Sequence, residues 1–293
     1  MSTIVLLLVT GLGLGALYFL VAAGLSLIWG LMRVLNFAHG AFFTVAAYAG
    51  FFAATALPAS PWLQWFVGLL AGILAGGVFA VLTEIILIRP LYRRPVGQVL
   101  VTVGLALATL ALVEGAFGSD PRQVTLPDWM NATTTLLGAA IPNTRFVVLL
   151  LAGLVLAGLL FFLQRTRYGL IVRAGVENRS MVSALGIDVE RAFTLVFAIG
   201  GMAAGLAGVL GATYYGTIDP SRGTTMLISA FIVVVIGGLG SITGSALAAA
   251  IVGLLQQFLN FYAAAGVGDF AVVILLAGVL LLRPGGLLGG PAT

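Results

Sequence analysis

Cysteine is absent from this sequence of 293 residues, and so is lysine. Without cysteine there is neither a disulfide nor a thiolate metal site. Without lysine there is no Walker A loop, whose lysine must reach the nucleotide phosphates. A Schiff base to retinal or pyridoxal phosphate is excluded for the same reason. The chain therefore cannot itself be a P-loop ATPase. A single histidine, His39, rules out a histidine-rich metal site. Charge is scarce as well: 8% of residues are charged, against about 25% in ordinary soluble domains.

Hydrophobic residues take up the space, at 61% of the chain with a mean hydropathy of +1.19. Runs such as VVLLLAGLVLAGLLFFL show no alternation of apolar and polar positions, so a membrane barrel is excluded. About 20 mostly apolar residues make a helical span. Apolar runs and Gly/Pro punctuation place spans near 4–30, 37–56, 63–88, 97–117, 145–164, 191–213, 224–239, 242–262 and 267–282. The expectation is an all-α, polytopic membrane protein with eight to ten transmembrane helices, forming one domain over 1–293. The seventh run is short and is followed by GGLGSITG, which predicts a broken or re-entrant helix buried in protein. The N-terminal run lacks a basic start and outlasts a signal-peptide core, so it reads as the first span.

All thirteen basic residues are arginine. Ten fall on one side of the predicted topology: Arg33, Arg89, Arg93, Arg94, Arg165, Arg167, Arg173, Arg179, Arg191 and Arg283. Arg122, Arg145 and Arg222 fall on the other. The positive-inside rule then puts the N-terminus outside and the C-terminus in the cytoplasm, in a membrane of the bacterial inner-membrane type. The outer loops are short or rich in Pro and Gly, with no room for a folded domain. GLMRVLNFAHGAFFTVAAYAGFF and VVIGGLGSITGSALAAAIVGLL each set a glycine-bearing turn before a small-residue helix. Both turns face the cytoplasm in this topology, which makes them candidate parallel repeats of the kind transporters are built from.

The longest cytoplasmic segment covers 164–192. Leu170, Ile171, Ala174, Met181, Leu185 and Ile187 recur at helical spacing, with Arg173, Glu177, Asn178 and Arg179 on polar positions. Gly186 suits a helix C-terminus and Asp188 an N-cap. An ordinary basic loop needs no such pattern; an amphipathic helix seated in a partner's groove does.

ENRSMVSALGIDVERAFTLVFAIGGMAAGLAGVL resembles the cytoplasmic loop and following span of permeases from branched-chain amino-acid ABC importers. NFAHG, GGLGSITGSALAAAIVGLL and the C-terminal LLLRPGGLLG resemble further signatures of that family. The resemblance spans essentially the whole chain and is nearer to the shorter permease of the usual pair. It implies a second, homologous permease chain, two cytoplasmic ABC ATPases and an extracytoplasmic binding protein as partners. It also implies that ATP and Mg²⁺ sit on the ATPases, that this chain binds no cofactor, and that 164–192 is the coupling segment. Arg173, Glu177, Asn178, Leu185 and Gly186 are its candidate contacts. No nucleic-acid partner is expected.

The remaining chemistry is sparse. Gly11 with Gly15, and Gly201 with Gly205 and Gly208, mark small faces where helix backbones can approach closely. Ionisable groups within spans are functional candidates by default. Glu84, five residues before Arg89, reads as a structural pair with a nearby arginine; Glu114 could line the outer mouth. No serine sits in a GxSxG setting, so His39 has no nucleophile to serve. Asn36, His39 and Gly40 are read as a capped turn at the inner end of the first span that also borders the translocation path. A self-contained secondary transporter or channel is the alternative, and it would call for more buried charge than Glu84 and Glu114 supply. Relatives of the same family that carry urea, amides or carboxylic acids are a further alternative, since the path residues do not choose among substrates.

Overall fold

The computed structural model describes residues 2–92, 94–177 and 188–288. Each predicted apolar run forms a helix close to its predicted bounds. They are α1 (Ser2–Met32), α2 (His39–Thr55), α3 (Pro61–Thr83), α4 (Pro95–Phe117), α6 (Asn143–Arg165), α8 (Val189–Tyr215), α9 (Arg222–Gly237), α10 (Ile242–Tyr262) and α11 (Val267–Leu282). Between them lie a four-residue turn of helix, α5 (Asp128–Asn131), and α7 (Arg167–Glu177). Among the described residues six helices are long and apolar enough to cross a membrane alone: α1, α3 with its extension to Leu91, α4, α6, α8 and α10. At 1.5 Å per residue, α2, α9 and α11 span only about 24–26 Å, short of the roughly 30 Å hydrocarbon core.

Two helices form the centre. The apolar window of α8 is 72% buried and that of α1 61%, against 22% for α4 and 17% for α6. Glycine sets the closeness of the central packing. A methyl built on Gly76 of α3 would lie 2.5 Å from the Gly201 carbonyl oxygen of α8, and one on Gly205 2.5 Å from that of Gly72. Gly11 and Gly15 of α1 meet Gly253 and Ala249 of α10 in the same way. The small faces read from the sequence are thus backbone-to-backbone contacts.

The helix ends follow local chemistry. Asp188 caps α8, its carboxylate accepting the Arg191 N–H at 3.2 Å, as the sequence predicts. Ser241 caps α10 through the Gly244 N–H at 3.1 Å. Beyond Thr83 the helix widens into a π turn, Glu84–Ile88, closed by a bond from the Arg89 N–H to the Glu84 carbonyl five residues back. Pro90 explains the widening: its ring has no N–H to give and crowds the carbonyl four residues earlier.

Among the described residues, several arginines are placed by their contacts. Arg89 reaches Glu190 at the start of α8, and the turn after Arg283 folds against Gly238. At the opposite end Arg145 stacks on Tyr214 and Arg222 on Tyr215, at 3.3 and 4.1 Å from the ring centres. The loop after α4 is more ordered than its Pro/Gly content implies. Strands β2 (Thr133–Leu136) and β3 (Ala139–Pro142) pair as a hairpin through Leu137 and Gly138, both at positive φ. Strand β1 (Arg122–Gln123) pairs with β4 (Thr217–Ile218), just before α9.

Candidate functional site

The segment after α1 is not a turn at the end of the bundle. Arg33 adopts a left-handed backbone conformation, φ 52°, which reverses the chain, and residues 33–38 then run back alongside α1. When α2 begins at His39, the imidazole Nε2–H donates to the Val21 carbonyl at 3.1 Å. Val21 lies eleven residues before Met32, about 16 Å up the helix. The second helix therefore starts near mid-depth, and the break between α1 and α2 lies inside the protein. This corrects the sequence reading, which put the turn at the membrane surface. The later GGLGSITG turn is at the same end as Met32, with Gly240 against Gly30, but it is a tight connection that does not climb.

Asn36 is also placed differently from the prediction. Its Oδ1 accepts the Ala38 N–H at 3.0 Å, so it holds the turn ahead of α2, whose N-cap residue is Ala38. Its Nδ2 is buried and makes no hydrogen bond among the described residues. Phe37 N–H donates to Thr102 Oγ1 of α4 at 3.3 Å. No hydrogen bond among the described residues engages the backbone N–H of Val34, Leu35 or Asn36. Irregular backbone at membrane depth persists only where protein buries it or a water-filled cavity meets it. Two clefts adjoin this stretch. One is lined by Asn36 and apolar side chains of α1 and α9; the other lies between α2, α4 and α9 and includes Gly40, Thr44, Thr109 and Thr224. The start of α9 comes to the start of α2 here: a methyl on Gly40 would lie 2.5 Å from the Gly223 carbonyl oxygen.

His39 stands apart from both clefts. It is fully buried against Val21, Gly24 and Phe42 and acts as a tie between α1 and α2. His39→Gln, which retains a donor toward Val21, should keep uptake near the wild-type level. His39→Ala should lower stability by about 2–4 kcal/mol, as truncation of a packed side chain does; transport and thermal unfolding of the two variants check this.

Glu84 forms the densest polar cluster at the arginine-rich end. It is fully buried and accepts from Arg89 Nε at 3.2 Å, Arg89 Nη2 at 3.0 Å and Thr194 Oγ1 at 2.9 Å. The Tyr92 hydroxyl donates to it as well. Burial, reinforced by that bond, pushes the Tyr92 hydroxyl well above the usual tyrosine range, so it stays protonated as a donor. The predicted Glu84–Arg89 pair is present, and it also joins the π turn of α3 to α8 through Thr194. Nothing in the sequence spacing pointed to Thr194 or Tyr92; Pro90 was the available signal that the helix would deform.

The other candidates are separate from these. Glu114 is exposed on α4 one turn from its end and borders neither cleft. Arg173 and Glu177 lie on α7, while Asn178, Leu185 and Gly186 fall outside the described residues. On α7, Val172 is buried, whereas Tyr168 and Leu170 are exposed, Leu170 at 60%. Among the described residues no three His, Cys, Asp or Glu side chains approach closely enough to hold a metal ion.

Long apolar helices, a break held inside the bundle and polar groups turned toward clefts are the features of a multi-pass membrane transport protein. The chain belongs to the family described as branched-chain amino acid transport system / permease component, whose model matches residues 7–282. It is similar to the high-affinity branched-chain amino acid transport system permease protein LivH of Salmonella typhimurium, 30% identical over 96% of this chain and 94% of that protein. BraD of Pseudomonas aeruginosa, a permease protein of the same description, is 30% identical over 97% of this chain and 95% of its own. A probable LivH from Methanocaldococcus jannaschii is 28% identical over 92% and 88%. These relatives are permeases and not enzymes. No solved structure matches the chain significantly.

Proposed function

We propose that this chain is the membrane-spanning permease subunit of an ATP-driven importer of the ABC type, with branched-chain amino acids as its cargo. The observation that carries this reading is the match to transport permeases across almost the full chain. A chain without lysine leaves ATP and Mg²⁺ to separate ATPase subunits. The arginine-rich end then faces the cytoplasm, where α7, with Tyr168 and Leu170 exposed, serves as the described half of the coupling segment. A binding protein delivers the amino acid at the opposite end, and a second, homologous permease chain completes the channel. Asn36 and Gly40 border the path at the helix break, with Glu114 near its mouth.

The permease's work is the relative stability of two packings, which its partners bias through differential contacts. Gly169 offers a direct test, because a methyl there would lie 2.1 Å from the Phe162 carbonyl oxygen at the α6–α7 corner. Gly169→Val should tilt α7 away, so that the binding protein no longer stimulates ATP hydrolysis while the chain still inserts. A bulky residue at Glu177 or Gly186 should weaken co-purification of the ATPases. Leucine transport by the purified chain alone, driven by an ion gradient, would overturn the ABC reading in favour of a secondary transporter.

A further inference from the structure

We propose that the apolar cleft beside the helix break is a transit site for the aliphatic side chain of the cargo, with the Asn36 amide meeting its carboxylate. The proposal rests on the amino-acid permease reading and adds the place where side-chain size is sensed.

Leu25, Phe37, Leu227, Ile228, Phe231 and Ile232 surround this cleft, and Asn36 is the one polar residue among its lining. The one buried side-chain group left without a partner on this stretch is a donor. Asn36 is 1% exposed and its Nδ2 has no partner; the N–H groups of Val34, Leu35 and Asn36 have none among the described residues either. The Asn36 amide needs an acceptor, and lipid tails supply none. An amino acid supplies both halves of what is missing, a carboxylate for the Asn36 amide and a branched hydrocarbon for the walls. The neighbouring cleft shares Phe37, Leu227 and Ile228 and adds the hydroxyl-bearing Thr44, Thr109 and Thr224. The two are successive compartments of one route, with Phe37 as the partition. Phe37 is fixed through its own N–H to Thr102 of α4, so the partition moves with that helix.

The test uses the whole transporter, this chain assembled with its permease partner, ATPases and binding protein in liposomes. Ile232→Trp fills the cleft and should cut leucine uptake about tenfold or more while alanine uptake falls far less, the scale expected of a pocket that senses methylenes. Phe231→Ala enlarges the cleft and should raise phenylalanine uptake relative to valine. Co-purification of the ATPases reports whether each variant has assembled. The absence of native cysteine allows a second measurement. Ile232→Cys should react on this chain with a charged, water-soluble thiosulfonate, and cycling with leucine should slow the reaction. A thiol that is inert to the charged reagent but open to a lipophilic one means that lipid fills the cleft, and the proposal fails. It fails equally if assembled Ile232→Trp and Phe231→Ala transporters keep the wild-type ratios. A wild-type complex that imports no aliphatic amino acid overturns the permease reading and this site with it.

Discussion

Glu84→Ala should lower the stability of the protein by about 2–4 kcal/mol and disconnect ATP hydrolysis from transport. Removing one partner of a buried ion pair typically costs about 3–5 kcal/mol, because the other is left uncompensated. Here the Arg89 side chain is 33% exposed and lies 3.9 Å from Glu190, so water and a second carboxylate relieve part of the loss. What they do not replace is the geometry. One carboxylate collects Arg89, Tyr92 and Thr194, and in doing so pins the π turn of α3 to the base of α8. That base follows directly on the coupling segment. Basal ATPase activity of the assembled complex should survive better than its stimulation by loaded binding protein. Glu84→Gln, which keeps an acceptor oxygen, should fall between the variant and the wild type. An unfolding midpoint for Glu84→Ala equal to the wild type would show that the cluster is ornamental.

The second large effect concerns glycine. Gly76→Leu should give no folded protein, and Gly76→Ala should cost roughly 1–3 kcal/mol, the range for overpacking a tight contact. The added methyl would stand 2.5 Å from the backbone oxygen of Gly201 and 2.8 Å from the Gly205 Cα. Neither is a flexible side-chain tip, so α3 and α8 must part along their length. Gly104→Ala and Gly153→Ala are the controls, since a methyl at either meets nothing within 4 Å. They should be neutral or slightly stabilising, given the helix preference of alanine over glycine. Yield and thermal unfolding of monodisperse protein in detergent separate the two classes. Equal behaviour at Gly76 and Gly104 would mean that the central contact is looser than described.

Hydropathy alone was enough to find the helices, because a span announces itself by length and uniformity. Local chemistry was legible too, in Asp188 as a cap and in the Glu84–Arg89 pair. The climb of residues 33–38 was not. Val34, Leu35 and Phe37 are as apolar as any span, so composition cannot say whether they run along the surface or back into the bundle. The clue was Arg33, where a reversal had to be made by a residue other than glycine, and that is a matter of backbone angle and not of pattern. Asn36 was singled out correctly as costly, but the cost lies in a donor left unpaired at depth and not in a cap. The pairing of β1 with β4 was hidden for a different reason: two-residue strands carry no periodicity. The β2–β3 hairpin did leave a trace, the β-branched run Thr133–Thr135 followed by Leu137–Gly138, where glycine favours the left-handed second position.

The β1–β4 pairing makes the far end of the molecule a lever. Arg122 and Gln123 close the loop that follows α4, and they are bonded to Thr217 and Ile218, only a few residues before α9 begins. Arg222 then clasps Tyr215, and Thr44 of α2 donates to the Pro220 carbonyl at 3.3 Å. A load placed on that loop is therefore not absorbed by a loose flap. It is passed through a backbone clasp to the first turn of α9, and from there to α2 at the Gly40–Gly223 contact. Pressure on the surface of this chain thus has a bonded route to the level where its second helix starts.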